Sequence, residues 1–268
     1  MDPAPVPSGK WADLRTRILS AVVMVAVGAV EIWLGGLAFA VLVVALTGVM
    51  IWELATMTAP LERRSALVVA GVAGVALVAA LVLKTEVAVL FLTVPSVALL
   101  LTPRRDQRLA GGYALAIMLA GYGLVELREI GGTQVILWLV AVVVASDVLG
   151  YFAGRMLGGP KFWPAISPKK TWSGTVAGWI GAALVGLVVV LATGASWALV
   201  PFSALVAFAG QMGDIAESWV KRRAGVKDAS NLIPGHGGAL DRFDALIGAV
   251  VVVMALRLVL PVTGLFGG

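Results

Sequence analysis

The chain contains no cysteine, which excludes disulfides, thiolate nucleophiles and cysteine-ligated metal sites and leaves the redox compartment undetermined. Charge is scarce: Asp, Glu, Lys and Arg make up 13% of the 268 residues, with a single histidine and three tyrosines. With 60% of the residues hydrophobic and a mean hydropathy of +1.00, a soluble fold would have to leave much apolar surface in water. The same numbers exclude disorder, collagen and a coiled coil. Continuous uncharged runs, such as Ala66 to Leu83 and Val135 to Ala145, lack the alternation of an outer-membrane barrel strand. The composition predicts an all-α, polytopic integral membrane protein.

Nine apolar segments are predicted, near 18–35, 37–59, 66–83, 87–102, 110–127, 135–154, 172–193, 197–220 and 245–262. Each approaches the ~20 residues that cross about 30 Å of hydrocarbon, the fourth being short. The first 17 residues are polar, Pro-rich and basic, a longer polar lead than a cleaved signal peptide has, so the first span is expected to be retained. The net charge of +5 resembles that of a nucleic-acid binder only until the basic residues are placed. Of the 20 Lys and Arg, 17 fall on one side of this nine-span alternation; only Lys84 and Arg128 fall on the other, and Arg257 lies in the last span. The positive-inside rule then predicts a cytoplasmic N-terminus, cytoplasmic loops at 155–171 and 221–244, and a periplasmic Gly268. No nucleic acid is expected as a partner. The chain divides into N-terminal spans (1–134) and a C-terminal catalytic region (135–268).

The chemistry-bearing residues concentrate in the second part. On a helix Asp214, Glu217, Ser218 and Lys221 share one stripe, and Asp214 is still inside an apolar run, where an ionisable group is expensive and points to function. Further on come Lys227-Asp228, Pro234-Gly-His236-Gly237-Gly238 and Asp241-Arg242-Phe-Asp244. The glycines can bring backbone N–H groups close to an anion, and hard carboxylates beside basic groups suit Mg²⁺ and a nucleotide triphosphate. Asp147 sits among Val, Ala and Ser at the end of the sixth span, followed by the compact donor cluster Ser167-Pro-Lys169-Lys170-Thr171. The expected metal ligands are Asp241 at the centre and Asp214 completing the site, with Asp147 and Asp244 in support. Lys169, Lys170, Lys221, Arg222, Lys227 and Arg242 are expected to bind phosphates, and replacing Lys221 or Arg242 should cost more activity than replacing Arg104 or Arg105. His236 is either a general base or a hydrogen-bonding shaper of the loop. Glu31 and Glu53 can pair with Arg257 or line a cavity, and Gly174-x-x-x-Gly178 suits close helix packing, including at a dimer face.

The run Ser218-Trp-Val-Lys221-Arg222-x4-Lys227-Asp228-x5-Pro234-Gly-His236-Gly-Gly-x2-Asp241-Arg242-x-Asp244 resembles the signature of the phosphatidate cytidylyltransferases, or CDP-diacylglycerol synthases. Ser146-Asp147…Gly154-Arg155 and Ser167-Pro-Lys-Lys-Thr-Trp are similar to further elements of that family, so the likeness covers roughly the C-terminal half. Ser173, where many members carry Glu or Gln, and Ala245, often Ser, depart from it. The resemblance implies Mg²⁺-dependent transfer of CMP from CTP to phosphatidic acid, with Asp214, Asp241, Lys221 and Asp244 catalytic, in a homodimer of the bacterial cytoplasmic membrane. Two alternatives stay open: a membrane lipid kinase or cytidylyltransferase with another acceptor, and an anion transporter that would show flux without CTP turnover.

Overall fold

The computed structural model describes residues 10–260 and 262–266. The periplasmic placement expected for Gly268, and the N-terminal nine residues, lie outside the described residues. Eight α-helices carry the chain: α1 Lys10–Leu34, α2 Gly36–Thr58, α3 Arg63–Leu83, α4 Val94–Leu101, α5 Gln107–Leu157, α6 Trp172–Thr193, α7 Leu199–Ala224 and α8 Leu240–Arg257. Among the described residues, six helices are long and apolar enough to cross a membrane. Large apolar side chains face outward, with Trp33 79% and Leu37 81% exposed, as expected where the surrounding solvent is hydrocarbon. The chain is an all-α membrane protein.

The fourth, fifth, sixth and ninth segments depart from the expected spans. The fourth is not one α-helix: Glu86–Thr93 is 3₁₀, capped by Thr85, whose hydroxyl accepts from the Ala88 N–H at 3.2 Å, and only Val94–Leu101 is α-helical. Pro95 in the first turn of α4 explains the change, since proline is accepted there but not in a helix interior. The 3₁₀ rise of about 2 Å per residue lets this short segment reach farther than an α-helix of equal length. The fifth and sixth spans have no polar loop between them; α5 is interrupted only at Gly132, with φ 64° and ψ −165°, a region essentially restricted to glycine. Unbroken, α5 would reach about 75 Å, more than twice the hydrocarbon thickness. The ninth segment begins earlier and ends earlier than expected, at Leu240 and Arg257.

Helix ends meet at two faces. At one, Arg128 donates to the Ile32 carbonyl at 3.1 Å, Lys84 pairs with Glu129 at 2.6 Å and Arg257 pairs with Glu126 at 3.1 Å. The hydrogen bond and charge of Glu129 raise the Lys84 pKa above its ordinary value. Arg257 therefore has Glu126 as its partner rather than Glu31 or Glu53. At the other face Arg105 donates to the Ala224 carbonyl at 2.9 Å, Arg223 pairs with Asp106, and Ser20 reaches His236. The expected loop 155–171 contains an antiparallel hairpin, β1 Lys161–Trp163 and β2 Ser167–Thr171, with Lys161 opposite Thr171 and Trp163 opposite Ser167. Phe162 packs edge-on against Trp172, ring centroids 4.7 Å apart.

Candidate active site

Two close helix crossings build the site. A Cβ on Gly213 of α7 would fall on the Asp244 carbonyl oxygen of α8, and one on Gly248 would fall on the Ala209 carbonyl oxygen. Only hydrogen at both positions lets α7 and α8 approach this closely. At the second crossing Gly174 of α6 faces the Gly150 carbonyl of α5, and Gly178 faces Ser146 and Gln211. The Gly174-x-x-x-Gly178 pair thus packs inside the chain instead of presenting a dimer face. Gln211 links three helices: its amide donates to Ser146 Oγ and to the Thr175 carbonyl, both at 3.2 Å, and accepts from Trp179 Nε1 at 2.9 Å.

Between these crossings lies a polar cavity of about 580 Å³. Asp147, Asp214, Asp241 and Asp244 line it, facing Arg155, Lys169, Lys170 and Arg242. Tyr151, Thr171, Thr175 and Gln211 complete the polar wall. Lys170 Nζ pairs with Asp214 Oδ2 at 2.5 Å, so β2 is latched to α7. The Thr171 hydroxyl caps α6 by accepting from the Gly174 N–H at 3.2 Å.

The carboxylates that converge are Asp214, Glu217 and Asp244, each offering one oxygen within 4.8 Å of the others. Glu217 is fully buried, and its Oε1 has no hydrogen-bond donor among the described residues. Three convergent hard oxygens, one without a donor, fit a divalent cation. Asp241 stands outside this trio. Its side chain is 4% exposed; Oδ1 accepts from Lys221 Nζ at 2.7 Å, and Oδ2 accepts from the Ala229 and Gly238 N–H groups, both at 2.8 Å. Lys221 also sits 2.5 Å from Glu217 Oε2, so its ammonium lies between two internal carboxylates and does not line the cavity.

The glycine-rich loop adopts a form that its sequence only partly announces. The His236 N–H donates to the Ile233 carbonyl at 2.9 Å, with Gly235 at φ 75°, so Pro234-Gly235 form the corner of a type II turn. The anion held by the Gly238 N–H is the Asp241 carboxylate, not an external phosphate. His236 Nδ1 lies 2.8 Å from Ser20 Oγ, which favours the hydrogen-bonding role over a general base. Ser218 Oγ donates to Asp214 Oδ1 at 3.4 Å. Ser167 belongs to β2, while Arg222, Lys227 and Asp228 are exposed; none of these four lines the cavity. Glu217 lay on the predicted stripe without a ligand role, and Gln211 was legible only as an amide inside an apolar run.

Arg104 and Arg105 are poor neutral controls. Arg104 Nη1 donates to the Thr58 hydroxyl at 3.2 Å, with burial lowering its pKa, and Arg105 braces the end of α7. Exposed Arg63 and Arg64 serve better. Lys170→Ala or Arg242→Ala should lower kcat/KM about tenfold or more, the cost of losing a charged hydrogen bond, whereas Arg63→Ala should stay within about twofold, surface substitutions away from such features being nearly neutral. Steady-state kinetics on the purified variants checks this, and equal losses would remove Lys170 and Arg242 from substrate binding.

A model of the cytidylyltransferase family matches residues 15–260. A phosphatidate cytidylyltransferase of Brucella abortus is 35% identical over 248 residues, covering 89% of this chain and 91% of the relative. Proteins of the same name from Staphylococcus saprophyticus and Helicobacter pylori are 40% identical over 138 residues (50% of this chain, 53% of the relative) and 44% identical over 119 residues (43% and 44%). The family match over residues 15–260 takes in the α7–loop–α8 unit and the β hairpin together with the N-terminal helices that brace them, and the chain belongs to the cytidylyltransferase family.

Proposed function

We propose that the chain is a phosphatidate cytidylyltransferase, converting CTP and phosphatidic acid to CDP-diacylglycerol and pyrophosphate. The observation that carries this reading is a charged cavity set between apolar helices beside a long apolar groove. The groove, about 840 Å³, runs between the second half of α5 and α6 and is lined by Ala145, Leu149 and Gly181. Ala145 and Leu149 adjoin Ser146 and Gly150 of the charged cavity, and Gly181 lies one turn from Gly178, which faces Ser146 and Gln211. A substrate with an anionic head and apolar tails matches that pairing, as do the names of the relatives.

The reaction is an in-line displacement. A phosphatidate phosphate oxygen attacks the α-phosphorus of CTP, the new O–P bond forms, the bond from the α-phosphorus to the bridging oxygen breaks, and pyrophosphate leaves with that oxygen. The attacking oxygen is already anionic near neutral pH, so no strong general base is needed. Lys169, Lys170, Arg155 and Arg242 orient the phosphates and offset their charge, which is the main contribution protein groups make to transfer at phosphorus. Asp214, Glu217 and Asp244 would hold Mg²⁺, with Asp147 nearby. When bound, the ion supplies positive charge to the triphosphate. Lys221 and Asp241 keep the α7 end and the loop in register, and the C-terminal region 135–268 supplies the groups that touch substrate.

Detergent-purified protein incubated with labelled CTP and phosphatidic acid should yield CDP-diacylglycerol and pyrophosphate in equal amounts. Turnover with an isoprenoid alcohol or another lipid acceptor and none with phosphatidic acid would refute the acceptor assignment. The same reading includes nine spans, a cytoplasmic active site in the bacterial cytoplasmic membrane, and a homodimer, which cross-linking in the membrane checks. Because the chain lacks cysteine, single cysteines report its topology. One at Lys84 should label from outside intact cells, and one at Arg64 only after the inner membrane is permeabilised; the reverse result would overturn the orientation.

A further inference from the structure

Glu53 lies on α2, far in sequence from every group that lines the cavity, and is fully buried. Its carboxylate accepts from Ser230 Oγ at 2.6 Å, the Ala239 N–H at 2.9 Å and the Leu240 N–H at 2.7 Å. The two amides open α8, where helical N–H groups have no partner within the helix, and a carboxylate there meets both their hydrogen-bonding need and the positive end of the helix dipole. Serine 230 belongs to the same loop nine residues earlier. One side chain therefore joins both ends of the segment 230–240, and α8 itself offers no side-chain cap.

The next residue, Asp241, holds the Ala229 and Gly238 N–H groups and pairs with Lys221. Glu53 and Asp241 thus grip alternate donors of one loop, Ala229 and Gly238 by Asp241, Ser230 and Ala239-Leu240 by Glu53. Gly238 sits so close to Glu53 that a Cβ there would meet both carboxylate oxygens, at 2.5 and 2.9 Å. The glycine is required for the carboxylate to pass behind the loop.

We infer that Glu53 is a positioning residue for the reaction, fixing the loop 229–240 and the start of α8 so that Asp241, Arg242 and Asp244 present a defined face to the cavity. This rests on the proposed cytidylyl transfer for its activity readout, but not for its structural one. Glu53 touches no cavity wall group directly; it acts through the backbone of α8.

The test uses the full-length protein in detergent with a single cysteine at exposed Leu232, spin-labelled, in the wild-type background and with Glu53→Gln, Glu53→Ala or Ser230→Ala. Glutamine retains one acceptor oxygen but turns an N–H₂ toward an amide donor, so Glu53→Gln should lower kcat about tenfold or more, with Glu53→Ala lower still, in the range seen when an outer supporting partner of a site is removed. Ser230→Ala removes a single hydrogen bond from the loop side, leaves α2 intact, and should lower kcat about threefold. Combining it with Glu53→Ala should add little, because both remove the same link. The spin-label spectrum should shift to a more mobile line shape in each variant, while KM for phosphatidic acid stays within about twofold. Unchanged line shapes with full kcat in Ser230→Ala and Glu53→Gln would overturn the inference, as would a loss of kcat with an unaltered loop spectrum. If Glu53→Ala does not fold, Ser230→Ala and Glu53→Gln still decide it. An inactive wild type with an immobile loop that loosens in the variants would refute the assigned reaction and leave the anchoring role standing.

Discussion

Asp214→Asn is expected to reduce turnover at least about 100-fold, the scale on which removing one charged stabilising group from a site acts, while the protein still folds and extracts normally. Asparagine keeps the size of the side chain, and its Oδ1 can still accept the hydrogen bond that Ser218 of α7 donates to Asp214 at 3.4 Å. Two functions are lost together: the ion pair that latches Lys170 of β2 to α7 at 2.5 Å, and one of three carboxylate oxygens gathered within 4.8 Å. Asp241→Asn should also be severe but different in kind. It weakens the partner of Lys221 and the clasp on the Ala229 and Gly238 N–H groups. The Mg²⁺ concentration for half-maximal rate separates the two. It should rise in Asp214→Asn and stay near the wild-type value in Asp241→Asn, where kcat alone falls. The opposite pattern would return the central ligand role to Asp241. Glu31→Gln serves as the mild control: Glu31 Oε2 has no hydrogen-bond donor among the described residues, and Glu31 does not line the polar cavity.

Gly248→Val should be the most damaging change that adds no charge. A Cβ at this position collides with the Ala209 carbonyl and with Gly213, backbone atoms that cannot rotate aside. Overpacking of this kind costs about 1–3 kcal/mol where side chains can adjust and more where they cannot, and separating α7 from α8 also disperses Asp214, Glu217 and Asp244. Both the thermal midpoint in detergent and activity should fall steeply. Gly71→Ala is the comparison, since nothing lies within 4 Å of the added Cβ and alanine favours a helix by up to about 1 kcal/mol. A Gly248→Val protein with wild-type midpoint and activity would show that the crossing is not tight in solution.

Much of the site was legible in the sequence because charge is rare in this chain. Asp147, Asp214, Lys169, Lys170, Asp241, Arg242 and Asp244 stood out against an apolar background, and all seven line one cavity. Which carboxylates meet was not legible. Helical spacing placed Asp214 and Glu217 on one stripe, but the approach of Asp244 depends on two glycines, Gly213 and Gly248, whose pairing is a long-range contact with no local pattern. The surroundings of Asp241 were hidden for a related reason: two of its donors, the Ala229 and Gly238 N–H groups, are backbone amides of the loop, and such amides carry no residue signature. Glu53 could be seen as a buried acid but not assigned, because its partners lie about 180 residues away. The hydrophobic segments announced the helices and not the 3₁₀ start of the fourth, where Pro95 shifts the helix type without changing hydropathy.

Gly132 sets the phase of everything that follows it. Since α5 has no loop at that point, with only one residue outside helical torsions, the rotation of its second half about its own axis is inherited directly from its first. One residue added beside Gly132 would turn that half by about 100°, carrying Asp147 to the exposed position of Val148, setting Ser146 in its place and bringing Ala145 and Leu149 to where Ser146 and Gly150 line the cavity. Elsewhere in the chain a surface loop could absorb such an insertion. Here the membrane-spanning helix behaves as a keyed shaft, and the reading frame of its side chains is indexed at a single tooth.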